Sequence, residues 1–455
     1  MTRRIHLNAF DMTCAGHQSP GLWRHPDDRS HTFHDLRYWT DLAQLLERGG
    51  FTSLFVADVV GLYDVYRGGP ESAIRDGIQV PVGDPTLAVS AMAAVTEKLG
   101  FGITVSLTYE KPYAFARRFS TLDHFTGGRV AWNVVTSYLE SAARNLGLEV
   151  QVPHDRRYDV ADEFMEVVYQ LWEASWDDDA VLLDRDKGVY TDPAKVRPID
   201  HHGEFFDVPG IGLTEPSAQR TPTIFQAGAS PRGVAFAARH AEGVFVTAAT
   251  PETLAPRVAT LRRTAAEQGR DPASVKVFAL LTVVTAATDA EAGDKYEDLR
   301  RYVSLEGALT LYGGWSGLDL STLDPDEPLR FAETDAIRSA VEQFTTADPT
   351  REWTPRDIAE HIGIGGMGAV VVGGPQTVAD EMARWVDVAD VDGFNLAYAI
   401  TPGSFSDVVE FVVPELRRRG LLPDEPEGAT LREHLYGSGH ARALPDHPAA
   451  VHARR

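Results

Sequence analysis

The chain has 455 residues, 43% of them hydrophobic and 24% charged, with a formal net charge of −23 and a single cysteine, Cys14. That length fits one large domain with insertions or two ordinary ones, and it buries a core without needing disulfides or metals. One cysteine excludes an intrachain disulfide and a multi-cysteine metal cluster, and the acidic balance disfavours nucleic acid and anionic membranes, which select clustered Lys and Arg.

Met1-Thr2-Arg3-Arg4-Ile5 leads into no apolar h-region, and no apolar run approaches the roughly 20 residues of a membrane span. A cytoplasmic location is the expectation. Ile5–Phe10 reads as a strand. Asp35–Gly49 reads as an amphipathic helix, with Leu36, Trp39, Ala43 and Leu46 on one stripe and Gly49-Gly50 as its stop. Phe51–Ala57 is a buried strand running into Asp58, Thr86–Leu99 a helix, Phe101–Leu107 a strand, Pro112–Phe125 a helix closed by Gly127-Gly128, and Arg129–Val135 a strand. Tyr158–Glu173 is helical, and the short strand Thr223–Gln226 precedes a helix from Pro231 to His240. Gly243–Val246, Val275–Thr285, Gly368–Gly373 and Gly393–Ala399 are further strands, with helices over Thr377–Asp387 and Ser406–Arg419. This alternation argues for parallel βαβ units. About eight strands between Ile5 and Tyr398 suggest a closed (β/α)8 TIM barrel. A doubly wound open sheet is the alternative, and the lack of G-x-G-x-x-G after the first strand stands against it.

Two stretches break the rhythm, about 176–218 and 294–364. Insertions of this kind usually build over a barrel's catalytic face or act as lids. The tail from Pro423 has the composition of a surface wrap or interface arm, with Thr430–Leu435 helical. The expected organisation is one domain over 1–440, followed by a tail over 441–455.

A barrel places its active site at strand C-terminal ends. Asp58 closes the second strand. Thr104 and Ser106 lie on one face of the third, and Asn133, Thr136 and Ser137 close the fourth. Ser230 follows the run Phe225-Gln226-Ala227-Gly228-Ala229 and precedes Pro231. Ser230 suits an N-cap and Pro231 a first helical position, so the amides behind them suit a phosphate; without a ligand the same residues make a plain cap. His154 and Tyr158, four apart at a helix start, share one face, where they either hydrogen-bond a phosphate or cap and pack. The polar, aromatic segment Phe10–Pro26, with His17, Trp23, Arg24 and His25, lines a substrate pocket or forms an ordered surface loop. No histidine has metal-ligand spacing, so no metal is assigned, and neither a G-x-S-x-G elbow nor a P-loop is present.

Longer strings carry a resemblance. They are A-A-V-T-E-K-L-G-F-G from Ala93, T-L-D-H-F-T-G-G-R-V-A-W-N-V-V-T-S from Thr121, H-D-R-R-Y-D-V-A-D-E-F from His154, D-P-A-K-V-R-P-I-D-H-H-G-E-F-F from Asp192 and Q-A-G-A-S-P-R-G from Gln226. With these the chain resembles the luciferase-like FMN-dependent monooxygenases, in the branch of nitrilotriacetate monooxygenase, dibenzothiophene-sulfone monooxygenase and the pristinamycin IIA synthase large subunit. The resemblance runs from Ile5 to about Leu435 and is weakest over 294–364.

It implies a two-component enzyme. A separate NAD(P)H:flavin reductase supplies FMNH2, and O2 reacts with it to give a C4a-(hydro)peroxyflavin that oxygenates a small organic substrate. FMN contacts then fall on Asp58, Thr104, Asn133, His154, Tyr158 and Ser230, with the phosphate near Ser230, His154 and Tyr158. Ser137 is expected at the peroxide or the flavin N5, and His17 or Gln18 at the substrate. A homodimer or homotetramer is the expected assembly. Three other functions fit the same class of barrel: an F420-dependent oxidoreductase, distinguished by reconstitution with that cofactor; a metal-dependent hydrolase, distinguished by metal analysis; and a non-catalytic flavin-binding partner, distinguished by oxygen consumption.

Overall fold

The computed structural model describes residues 4–228, 230–329, 336–345 and 352–453. Parts of the expected 294–364 insertion, Ala229 in the Gly228–Pro231 turn and residues 454–455 of the tail lie outside the described residues.

Eight parallel strands close a barrel: β1 (His6–Met12), β2 (Ser53–Ala57), β3 (Gly100–Ser106), β4 (Val130–Val135), β5 (Thr223–Gln226), β6 (Gly243–Val246), β7 (Lys276–Val284) and β8 (Gly393–Ala397). Each pairs with its sequence neighbour except across one seam, where β8 lies between β7 and β1. The β6–β7 pairing completes the closure. The strand expected over Gly368–Gly373 is real but lies outside the closed set: Ala369–Val372 pairs only with Leu281–Val284, the overhang of β7. The helices that cover the barrel are α1 (Leu36–Arg48), α2 (Thr86–Ala94), α3 (Pro112–Thr126), α4 (His154–Tyr169), α5 (Pro231–His240), α6 (Pro251–Glu267), α7 (Pro375–Ala389) and α8, which runs from Gly403 through a π-helical turn to Arg418.

Local chemistry explains these helices. Asp35 caps α1 by accepting from the Arg37 amide, and Trp39, Leu42, Ala43 and Leu46 form its buried stripe. α4 starts at His154, a turn before the expected Tyr158, and continues into a π-helical turn over Gln170–Ala174. α6 had no sequence expectation, although Thr250-Pro251 carries the signal: Thr250 and Thr253 cap each other reciprocally.

The barrel interior is a filled aromatic stack. Phe10 lies 4.9 Å from Phe55, and Phe55 4.1 Å from Phe245, both pairs stacked. Gly102 makes room for this: a Cβ there would sit 3.0 Å from the Phe225 ring. Because side chains alternate along a strand, Thr104 and Ser106 face inward with Gly102, and Asn133 faces inward with Ala131. That parity is what places polar groups at the mouth above the stack.

The base is sealed by the C-terminal segment. The helix Leu431–Tyr436 inserts Leu431 where Gly100 lacks a side chain; a Cβ there would lie 2.6 Å from Leu431 Cδ1. Arg432, fully buried, donates to Glu242 Oε1 at 2.6 Å and Oε2 at 3.0 Å, and to the Thr221 carbonyl at 2.8 Å. The Tyr436 hydroxyl donates to the Ser274 carbonyl at 2.6 Å. The segment expected to wrap the surface is therefore a plug. Further along, His447 Nε2 lies 2.8 Å from the His240 carbonyl, holding the tail against the barrel wall.

The two insertions go to different places. Helices Leu305–Ser316 and Pro355–Ile362 pack with Tyr63, Leu139 and Ala142 from the β2 and β4 loops, and so form a cap over the mouth. Residues 176–218 add nothing to that cap. They form two small hairpins, Val181–Asp184 with Val189–Thr191 and His201–His202 with Asp207–Val208, clasped to the flank of α4 where Glu163 accepts from the amides of Phe205 and Phe206 at 3.0 and 2.8 Å. The reason is connectivity: this segment leaves the far end of a helix, at the base of the barrel. Among the described residues no helix is long and apolar enough to cross a membrane.

Candidate active site

The ends of β3, β4 and β5 carry a continuous polar wall. Asn133 Nδ2 donates to Thr104 Oγ1 at 2.9 Å, and Ser137 Oγ donates to Ser106 Oγ at 2.7 Å. Ser137 has a left-handed backbone, φ 58°, which is uncommon for a non-glycine residue. The Thr136 carbonyl accepts from Thr108 at 2.6 Å, fixing this turn to the end of β3.

Next to that wall is a cradle. The Tyr158 hydroxyl meets the side chains of Ser230 and Thr136. Ser230 caps α5, accepting from the Gly233 amide at 3.0 Å. A Cβ at Gly233 would sit 2.8 Å from the Tyr158 hydroxyl, and one at Gly228 would sit 3.1 Å from it, so two glycines keep that hydroxyl accessible. His154, 5.3 Å from the Tyr158 ring centroid to centroid, is oriented by Asp155 Oδ1 at 2.7 Å from its Nδ1. Helix N-terminal amides, a phenol, a hydroxyl and an imidazole make a donor set suited to a phosphate.

The adjoining wall comes from β1 and β2. The buried His17 packs edge-on against Phe10 at 4.3 Å, and its Nε2 lies 3.2 Å from Gln18 Nε2. Burial pushes its pKa down to about 3, so the ring is a neutral imidazole. Asp58 ends β2 half-buried. Burial, followed by the nearby Asp84 carboxylate, pushes its pKa up to about 7. Thr104 is thus bonded to Asn133, Ser137 to Ser106, and Tyr158 to Ser230 and Thr136, while Asp58 follows β2, the strand next to β3, and His17 lies against Phe10 of β1.

Sequence reasoning missed a second polar string. The Tyr63 hydroxyl donates to Gln79 Oε1 at 2.8 Å and lies 2.8 Å from the Tyr138 hydroxyl; Gln79 Nε2 donates to the His17 carbonyl at 3.1 Å. Trp315, on the cap helix, reaches the Tyr63 hydroxyl. Gln79, buried with φ 49°, belongs to no strand end or capping pattern, so no local signal in the sequence marks it.

The residues fit a flavin. Asn133 Oδ1, Thr282 Oγ1 and His17 Nδ1 are all buried with no hydrogen-bond partner within the chain. A buried polar atom left unpaired costs about 1–3 kcal/mol, which a polar ligand at the mouth would offset. No group of three or more His, Cys, Asp or Glu among the described residues could hold a metal ion.

Asp58 sets a pH dependence whose sign is fixed. Its folded pKa lies above its unfolded one, so its contribution to stability is greatest below about pH 4 and is lost as pH rises through about 7. Asp58→Asn is expected to melt above the parent at pH 8.5 and no higher than it at pH 4; thermal unfolding at the two pH values checks this.

The luciferase-like monooxygenase family model matches residues 12–390. A dimethyl-sulfide monooxygenase of Hyphomicrobium sulfonivorans is 55% identical over 450 residues, covering 99% of this chain and 94% of that protein. A long-chain alkane monooxygenase of Geobacillus thermodenitrificans is 49% identical, covering 99% and 98%. A riboflavin lyase solved with modified FMN and riboflavin superposes with a TM-score of 0.93 at 39% identity, covering all of both chains. With a matching barrel and near-complete coverage, the chain belongs to the luciferase-like monooxygenases.

Proposed function

We propose that this enzyme is the oxygenating component of a two-component system, taking FMNH2 from a separate flavin reductase and using O2 to oxygenate a small organic substrate. The carrying observation is the Tyr158–Ser230–Gly228–Gly233 cradle beside the Thr104–Asn133 pair, which suits the phosphate and ring ends of one FMN. When bound, reduced flavin supplies two electrons that let one oxygen atom of O2 go to the substrate and the other to water. The chain's part is to hold that flavin, exclude water and position donors. His154, Tyr158 and Ser230 hold the phosphate, and Asp58, Thr104 and Asn133 face the ring. Ser137 Oγ, set by its strained turn against Ser106, can swing its one proton from the Ser106 hydroxyl to the oxygen-bearing side when flavin is bound. His17 is a neutral donor or acceptor toward the substrate. The resemblance to a riboflavin lyase solved with modified FMN supports the choice of cofactor.

The same reading takes the working unit as a homodimer or homotetramer. In support, α2 contains no charged residue and leaves Leu87 79% exposed, and the neighbouring α3 leaves Phe125 67% exposed.

The test supplies FMN, NADH and a generic flavin reductase, with dimethyl sulfide and a long alkane as first substrates because the two relatives are named for them. Oxygen uptake with labelled O2 entering the product is the expected result. Ser137→Ala should keep FMN binding and lose roughly tenfold in product formed per FMNH2 oxidised, the scale of one lost hydrogen bond. Full coupling in that variant would remove Ser137 from the reaction, and absence of product label with every substrate would remove the monooxygenase reading. Light scattering on the same preparation reads the number of copies.

A further inference from the structure

The proposed oxygenation leaves open what kind of molecule the mouth admits, and the charges around it bear on that. A continuous contact path runs from the barrel to the cap. Phe10 meets His17, His17 meets Gln18, and Gln18 Oε1 lies 2.0 Å from where a Cβ at Gly366 would project. Trp315 Cη2 lies 3.2 Å from that same point. Gly366, at φ 64°, has no side chain to separate the two, so the Trp315 indole closes down on the N-terminal loop. Trp315 is itself seated by Gly314, whose missing Cβ leaves the space filled by the Tyr63 ring.

The side chains along this path are rings, amides and hydroxyls: Phe10, His17, Gln18, Tyr63, Tyr138 and Trp315. Basic side chains on the surrounding loops are turned elsewhere. Arg67 and Arg75 pair with Glu306, Arg144 pairs with Asp64, Arg232 with Asp162 and Lys295 with Asp407. Among the described residues, no Lys or Arg shares a hydrogen bond or ion pair with these six lining side chains. The arginines Arg157 and Arg232 stand at the Tyr158 end, where the phosphate is assigned, whereas on the β2 side of the mouth stands a carboxylate, Asp58 with Asp84 beside it. An anionic substrate would be desolvated there without a counter-ion and against like charge, whereas a neutral molecule meets apolar rings with a few adaptable donors.

Resting on the monooxygenase reading, we propose that the substrate is a small uncharged molecule and that Trp315 is the residue that limits its size. The isosteric pair 3-(methylthio)propanamide and 3-(methylthio)propanoate tests charge, by calorimetric titration onto the complex with oxidised FMN and by labelled-oxygen incorporation. The amide is expected to bind and turn over roughly 100-fold better, the scale of burying an unpaired charge. Dimethyl and dibutyl sulfide test size. Trp315→Ala should raise the kcat/KM ratio of dibutyl to dimethyl sulfide at least tenfold, about the worth of several methylenes gaining room, and Trp315→Phe, which keeps the cap packed, should move it part of the way. Equal binding of amide and carboxylate, or an unchanged size ratio in both variants, overturns the inference while the flavin chemistry stands. Failure of all four compounds to take up label would overturn this inference together with the reading it rests on.

Discussion

Arg432→Met is expected to destabilise the protein by about 3–5 kcal/mol, the usual result of removing one partner from a buried ion pair. Arg432 and Glu242 are 0% and 1% exposed, so the carboxylate left behind has no water to turn to. Burial works against the charged form of Glu242, and Arg432 outweighs it, holding the carboxyl below its ordinary range. The sign of the pH effect follows. In the parent, the pair's contribution is present above the unfolded carboxyl pKa of about 4.3 and is lost as pH falls through the lower folded value. In the variant, the lone carboxyl is raised instead, so its penalty grows as pH rises. The gap between parent and variant should therefore be wide at pH 8 and narrow at pH 4, as read by urea unfolding midpoints. Arg432→Met combined with Glu242→Leu should recover part of the loss, because an apolar pair removes the orphaned charge. The recovery is incomplete, since Glu242 also accepts from the Ile224 amide and Arg432 also donates to the Thr221 carbonyl. A single variant as stable as the parent at pH 8 would mean that the plug does not hold the barrel base.

This plug marks where reading the sequence runs out. Leu431–Tyr436 is one short amphipathic helix, and nothing local distinguishes a helix lying on a surface from one entering a barrel. What receives it is Gly100, more than 300 residues earlier, together with Glu242. The barrel itself was legible because its signals are local: apolar strands ending in polar residues, helices opening on caps and closing on glycine. The polar wall at the strand ends was legible for the same reason, since Thr104 and Asn133 hold fixed positions on strands, where parity turns them inward, and Ser230 opens the helix after one. Tyr63, Gln79, Tyr138 and Trp315 hold no such position. They lie in loops and in a cap helix, and hydrogen bonds spanning 16 and 75 residues bring three of them together. The 176–218 stretch has the composition of a lid, yet its placement on the flank was set by which end of α4 it leaves.

Gly233→Ala is expected to weaken FMN binding roughly 10- to 100-fold while leaving thermal stability unchanged or slightly higher. Two effects of opposite sign meet at this position. Within α5 alanine is the better helix former, worth up to about 1 kcal/mol. Its methyl, however, would project to 2.8 Å from the Tyr158 hydroxyl and 3.1 Å from Ser230 Oγ, closer than ordinary contact. Tyr158 lies on α4, locked against Phe236 at 5.5 Å, so the ring has little room to retreat and its hydroxyl must turn away from Ser230. The cradle then loses one hydrogen bond to an anionic group, worth about 1.5–3 kcal/mol, hence the stated range. Tyr158→Phe removes the same hydroxyl without adding bulk. If Gly233→Ala acts through Tyr158, the double variant should bind FMN no worse than Tyr158→Phe alone, because the second change has nothing left to displace. Additive losses would instead mean that the methyl blocks the phosphate directly. Quenching of flavin fluorescence across the four proteins separates these outcomes, and undiminished binding in Gly233→Ala would take the phosphate away from the N-terminus of α5.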